Sequence, residues 1–213
     1  MGESILQSIH ISNLILSIKQ RSTKPRSAND IPFKIVTPTV MQRIRDVIKY
    51  TATPSWINSV PYNFSDAATS PLKADEWRTM SNIYLPLALV SLWGEGTSHP
   101  SADIGVKLRH VLDHTMALVS AITLACLRTM SQAHTTAYRN YIAIYIRELQ
   151  NLPPEATCRT NQHMAMHIYD FLQLFGPVHS WWCFPFERLI RQLQRMTNNH
   201  KYGKSFRYVI HYP

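Results

Sequence analysis

The chain has 213 residues, of which 45% are apolar and 16% charged, and its 22 Lys and Arg against 13 Asp and Glu give a net charge of +9. This composition excludes a disordered chain, which would combine few apolar residues with a high net charge, and 6 Gly are too few for a collagen-like or linker-like chain. One large folded domain or two small ones is the expectation at this length.

The N-terminal quarter is predicted to contain a weak helix, a basic linker and a second helix. Residues 1–18 carry isoleucines at helical spacing, whereas residues 19–37 combine prolines with a concentration of charge. A helix is then predicted from Thr39 to about Lys49, and prolines interrupt residues 51–71. The first well-formed helix is therefore expected only after residue 37.

From residue 73 onward, apolar residues recur at helical spacing. The first predicted helix in this part extends from Ala74 to Gly94, with a bend at Pro86. The second extends from Ser101 past Ile122, and the third includes Tyr138 and Ile146 and ends before Pro153. Two more are predicted over residues 161–175 and from Pro185 onward. No stretch alternates apolar and polar residues over six or more positions. The expected fold is mostly α, an irregular multi-helix domain with little or no sheet.

Neither a membrane span nor a disulfide framework is expected. The two longest apolar runs, residues 83–93 and 117–127, have 11 residues each, short of the ~20 that cross a bilayer. Cys126, Cys158 and Cys183 are too far apart to form a C-x-x-C pair. The N-terminus lacks the basic start of a secretory signal. An intracellular protein without a membrane partner is the interpretation, and no small-molecule substrate is evident.

Basic residues concentrate near the two ends of the chain. Residues 19–34 contain five Lys and Arg and a single acid, Asp30. Six Lys and Arg follow Glu187, with no acid among them. A basic surface of this kind attracts polyanions through counterion release, so nucleic acid is the first candidate partner. An ordinary solvated surface explains the same charges about equally well.

His163 and His167 form a first candidate site, because a spacing of four puts both imidazoles on one helix face. Two such rings could share a metal ion. The Glu that follows the first His in zinc proteases is missing here, and the sequence names no third ligand. A role in helix packing or hydrogen bonding is the favoured interpretation.

Glu187 is a second candidate, since it follows a dense aromatic cluster in residues 181–186 at the predicted start of a helix. A carboxylate in such a rigid, partly dehydrated setting suits a divalent metal ion. Alternatively, the negative side chain interacts favourably with the helix dipole, a contribution of ~0.3 to 1 kcal/mol. The local sequence alone favours this second interpretation. Asp75 and Glu76, at another predicted helix start, have the same capping explanation.

Four sequence blocks follow one another in a characteristic order, at residues 72–80, 84–93, 163–167 and 176–188. Their order and spacing, over roughly residues 53–202, resemble the C-terminal region of transposases of CACTA (En/Spm-like) DNA transposons. The fungal Plavaka-type elements are especially similar in appearance. The last block, with its aromatic-Pro-Phe-Glu-Arg core, is the most specific of the four.

The resemblance implies a fragment of a cut-and-paste DNA transposase. The catalytic core of that family is RNase H-like and uses three acidic residues to bind two divalent ions, Mg²⁺ or Mn²⁺. In this chain the resemblance places the third acid, catalytic and metal-binding, at Glu187. It implies DNA contact by Arg188, Arg191 and Arg195 along the same helix, and the basic tail adds Lys201 and Lys204 as candidate DNA contacts. The residues expected to support the site are His163, His167 and Trp182.

The chain departs from the family pattern in several places, and these departures argue against strand-transfer activity of the chain by itself. No segment suits the two strand-borne acids or a zinc-binding recognition module, and the end from Ser205 leaves the pattern. The expected organisation is an N-terminal segment with a basic linker (1–37), a helical transposase-derived domain (38–202) and a divergent tail (203–213). We expect a truncated, transposon-derived protein, nuclear if functional, with no cofactor and no independent strand-transfer activity.

Three kinds of partner are expected, namely DNA, intact transposase and a second copy of the chain. Two alternatives to the leading hypothesis stay open. In one, Glu187 is a metal ligand in an active site completed by another chain. In the other, the chain is a non-catalytic helical module that binds DNA or protein.

Overall fold

The computed structural model describes residues 35, 37–64, 66, 69, 72–151 and 160–181. Within these residues the protein is mostly α-helical and contains no strand, as the sequence predicts. The α-helical segments are α1 (Pro38–Tyr50), α2 (Ala74–Thr79), α3 (Leu85–Trp93), α4 (Ala102–Ala125), α5 (Gln132–Glu148) and α6 (Thr160–Phe175). A π-helical segment, Met80–Tyr84, joins α2 to α3 without a break, so the described residues form five helices.

Several predicted elements lie outside the described residues. They are the weak helix in residues 1–18, most of the basic linker, the helix opening at Pro185 and the tail of residues 203–213.

Polar side chains start three of the helices. Thr37, Ser101 and Ser131 each accept a hydrogen bond from the backbone N–H three residues later, with oxygen-to-nitrogen distances of 3.2 to 3.3 Å. These bonds satisfy amide groups that have no partner within the first helical turn. Local chemistry therefore sets where α1, α4 and α5 begin.

The π-helical segment lies directly before Pro86. The N–H of Leu85 donates to the carbonyl oxygen of Met80, five residues back. Proline lacks an N–H, and its ring crowds the carbonyl four residues earlier, here that of Asn82, so a regular α-helix is disfavoured at this point. The wider π turn is a common way of accommodating such an interruption. The disturbance that the sequence predicts at Pro86 therefore takes the form of a π segment just upstream of it.

One apolar core joins the helices. Helix α4 packs against α5, α5 against α6, and α3 against both α1 and α4. The core includes Met80, Tyr84, Ala88, Leu118, Ala121, Tyr138, Ile142, Ile168 and Leu172. The apolar stripe of α4 is buried from Val111 to Ile122 and widens after Met116, because this end of the helix is enclosed by several neighbours.

Candidate functional site

The structure places only part of the predicted site. Trp182, Glu187 and the basic residues predicted to contact DNA (Arg188, Arg191, Arg195, Lys201 and Lys204) lie outside the described residues. His163 and His167 are described and lie on α6. The proximity of the histidines to Glu187 that the resemblance implies stays a prediction.

The two histidines contact each other on the exposed face of α6. Their Nε2 atoms are 3.3 Å apart, and the ring planes meet edge to face at 76° with centroids 5.0 Å apart. Oδ2 of Asp170 lies 3.9 Å from Nδ1 of His167, the ring nitrogen that does not contact His163. The pair therefore has the geometry of a shared N–H···N hydrogen bond, with a carboxylate facing the second ring nitrogen.

Acidic residues do not form a larger metal-binding cluster in the part of the chain that the structure describes. No three His, Cys, Asp or Glu side chains there lie close enough together to hold an ion. At the start of α2, Glu76 Oε2 accepts a 2.8 Å hydrogen bond from the N–H of Lys73, and Asp75 Oδ2 accepts one of 2.6 Å from Asn58. Glu76 therefore caps the helix, as the sequence predicts, whereas Asp75 anchors the helix to the side chain of Asn58.

The described residues are almost electrically neutral, with ten Lys and Arg against nine Asp and Glu. Residues 1–34 carry five basic and two acidic side chains, and residues 182–213 carry six and one. Nearly all of the +9 charge therefore belongs to the two end segments rather than to the helical core.

Within the described residues, no helix is both long and apolar enough to span a bilayer.

A buried histidine between α4 and α5 is a feature that the sequence interpretation missed. His114 is 2% exposed, its Nε2 donates to the carbonyl oxygen of Tyr145 at 3.1 Å, and its ring stacks on the Tyr145 ring at 4.6 Å. Its Nδ1 has no hydrogen-bond partner among the described residues. Its place within the apolar stripe of α4, three residues after Val111 and four before Leu118, was the available signal.

Burial lowers the pKa of His114 to about 4, although the hydrogen bond to Tyr145 opposes that shift. Nearby, Nε2 of His110 lies 3.3 Å from Oε2 of Glu148. His110 disfavours the charged form of His114 and Glu148 favours it, both less strongly than burial does. His114 is therefore neutral at pH 7 and acts as a structural donor between two helices.

Hydrogen bonds hold the first residues of the fourth sequence block, residues 176–181, against the helices. Gly176 ends α6 with a φ of +72°, a left-handed conformation that suits glycine, and Trp181 Nε1 donates to its carbonyl oxygen at 3.1 Å. His179 Nε2 donates to the carbonyl oxygen of Cys126 at 3.0 Å.

Burial raises the pKa of the Cys126 thiol, which disfavours the nucleophilic thiolate there.

Fold and contacts together define a mostly α-helical protein with a near-neutral core and strongly basic end segments. No protein-family model, curated protein or solved structure matches this chain. The likeness to transposases is therefore supported by the four sequence blocks alone.

Proposed function

We propose that this chain is a transposon-derived helical protein that binds duplex DNA through its basic end segments. The four sequence blocks resemble the C-terminal region of CACTA transposases, and a mostly helical core agrees with the helical portion expected for such a fragment. A role of this kind implies an intracellular, nuclear location.

The observation that carries the DNA proposal is the uneven distribution of charge. A core with ten basic and nine acidic side chains produces little net field, whereas residues 182–213 have a net charge of +5 and residues 1–34 of +3. Phosphate contacts by Lys and Arg release condensed counterions, so concentrated basic segments dominate the affinity for DNA. DNA contact is therefore assigned to Arg188, Arg191, Arg195, Lys201 and Lys204.

Strand transfer by the isolated chain is not part of the proposal. Two-metal phosphoryl transfer needs several carboxylates that hold both ions between the attacking and leaving oxygens. Glu187 is the one acid that the resemblance supplies. In the intact parent enzyme, two further acids would complete the site for Mg²⁺ or Mn²⁺, and this Glu would act as a ligand.

Duplex binding by the purified chain is expected to weaken steeply with salt. Replacing Arg188, Arg191 and Arg195 together with Gln should lower the affinity and reduce the slope of log K against log salt by about 3, because each lost phosphate contact removes about 0.9 from it. Fluorescence anisotropy of a labelled duplex, from 25 to 200 mM salt, measures both quantities.

A matched control removes the same charge from the helical core. Lys107→Gln, Arg109→Gln and Arg128→Gln together are expected to leave the salt slope nearly unchanged. Equal losses in the two triple variants would contradict the assignment to the end segments. The DNA proposal would be abandoned if the unmodified chain did not bind at 25 mM salt.

A protein-binding module is the second candidate, favoured by two exposed apolar side chains at the C-terminal end of α6. Leu174 is 72% exposed and Phe175 58% exposed. Exposed apolar residues close together are typical of interaction surfaces, and we take a second copy of the chain as the partner. Sedimentation velocity is expected to show a concentration-dependent dimer that Leu174→Glu abolishes and Leu87→Glu, on α3, does not. A monomer at every concentration would contradict it.

A further inference from the structure

The histidine pair on α6 supports an inference that is independent of the proposed function. We propose that His163 and His167 together bind one divalent transition-metal ion, such as Zn²⁺, Ni²⁺ or Cu²⁺, through their Nε2 atoms. The site would be bidentate, with water or another ligand in the remaining coordination positions.

The separation of the two nitrogens fits this role. Histidine nitrogens lie about 2.0–2.1 Å from zinc, so two of them in a tetrahedral arrangement are about 3.4 Å apart. Nε2 of His163 and Nε2 of His167 are 3.3 Å apart. The backbone of α6 holds the two rings one turn apart. When an ion replaces the N–H···N hydrogen bond, the donating Nε2 gives up its proton, to its own Nδ1 or to solvent, and both lone pairs turn toward the ion.

The site is open to solvent. Both histidine side chains are exposed, and they lie on the face of α6 opposite the buried residues Ala165, Ile168 and Leu172. An ion can therefore reach the Nε2 atoms directly. Binding there does not require the core to open.

Asp170 is the positioning residue of the proposed site. Its carboxylate faces Nδ1 of His167 at 3.9 Å. Metal-binding histidines commonly have a carboxylate at the ring nitrogen that does not bind the metal, because it keeps the proton there and leaves the other nitrogen free as a ligand. Asp170 would favour the tautomer of His167 that presents its Nε2 lone pair.

Ligand chemistry predicts which ions bind. Imidazole nitrogens suit Zn²⁺, Ni²⁺ and Cu²⁺, with Cu²⁺ bound most tightly in the usual order of stability. Mg²⁺ prefers oxygen ligands and should not bind to this pair. This selectivity separates the histidine site from the divalent-ion chemistry attributed to Glu187.

Metal titration of the full-length chain tests the proposal. Calorimetry with Cu²⁺ and with Zn²⁺ is expected to detect one ion that binds to the native chain and not to the His163→Gln, His167→Gln double variant. Each single variant should bind at least about tenfold more weakly, since it loses chelation by the second imidazole. Electron paramagnetic resonance of the Cu²⁺ complex should show coupling to two nitrogens, reduced to one in the single variants.

Two further variants control for other histidines and for the role of Asp170. The His99→Gln, His134→Gln double variant removes two imidazoles from other elements and is expected to keep the ion. Asp170→Asn should weaken binding by about tenfold, the lower end of the range for loss of such a carboxylate. Unchanged binding in the His163→Gln, His167→Gln variant, or equal loss in the His99→Gln, His134→Gln variant, overturns the proposal. So does the absence of binding at millimolar metal.

Discussion

Lowering the pH from 7.5 to 4 is expected to reduce the free energy of unfolding by about 3 kcal/mol through His114 alone. Burial lowers the pKa of this histidine to about 4 in the folded protein, from 6.5 in the unfolded chain. Between these two values the unfolded state binds more protons, so stability falls as the pH drops below 6.5. Below pH 4 both states are protonated and the contribution of His114 becomes constant.

The contribution of His114 can be separated from that of the carboxylates by comparing variants. Urea unfolding at several pH values between 4 and 7.5 should give a steeper loss of stability for the native chain than for His114→Leu, which cannot be protonated. His134→Gln removes an imidazole at the start of α5, away from the contact of His114 with Tyr145, and should keep the native profile. Parallel pH profiles for the native chain and His114→Leu would show that His114 does not titrate on unfolding.

Replacing Tyr138 with Ala is expected to destabilise the protein by about 3–5 kcal/mol, the range for removing a buried aromatic ring. Tyr138 is 0% exposed, and its hydroxyl donates to the carbonyl oxygen of Ala165 at 2.6 Å, which links α5 to α6. Burial raises the pKa of this phenol far above its ordinary value, so it stays a donor. Thermal or urea unfolding measures the loss.

A conservative variant divides the effect of Tyr138 into packing and hydrogen bonding. Tyr138→Phe keeps the ring and should cost about 1 kcal/mol, because the Ala165 carbonyl lies inside α6 and keeps its helical partner. Tyr141, 39% exposed on the same helix, is the matched control, and Tyr141→Ala should cost less than 1 kcal/mol. Similar losses for Tyr138→Ala and Tyr141→Ala would contradict the position of α6 against α5.

The DNA and metal proposals concern different groups and can fail separately. DNA contact is assigned to the basic end segments, whereas the metal ion is assigned to two exposed histidines on α6. The Arg188, Arg191, Arg195 variant should retain the metal ion, and the His163, His167 variant should retain the duplex. Their results together indicate whether the chain uses one surface or two.

The sequence by itself predicted the helical class and several helix limits correctly. The first helix was expected from Thr39 to about Lys49 and extends over Pro38–Tyr50, and the one expected over residues 161–175 extends over Thr160–Phe175. These limits depend on capping side chains, prolines and Gly176, which act within a few residues. The sequence also placed His163 and His167 on one face, because that follows from helical periodicity alone.

Tertiary structure decided the features that depend on distant residues. Helix α5 makes His114 a buried, neutral donor, because Tyr145 supplies both the acceptor and the stacked ring. Likewise, the contact of Tyr138 with Ala165 joins α5 to α6 through two residues that are 27 positions apart in the chain. Periodicity shows which face of a helix is apolar, but burial and pKa depend on which neighbour covers that face, and only the packed helices establish it.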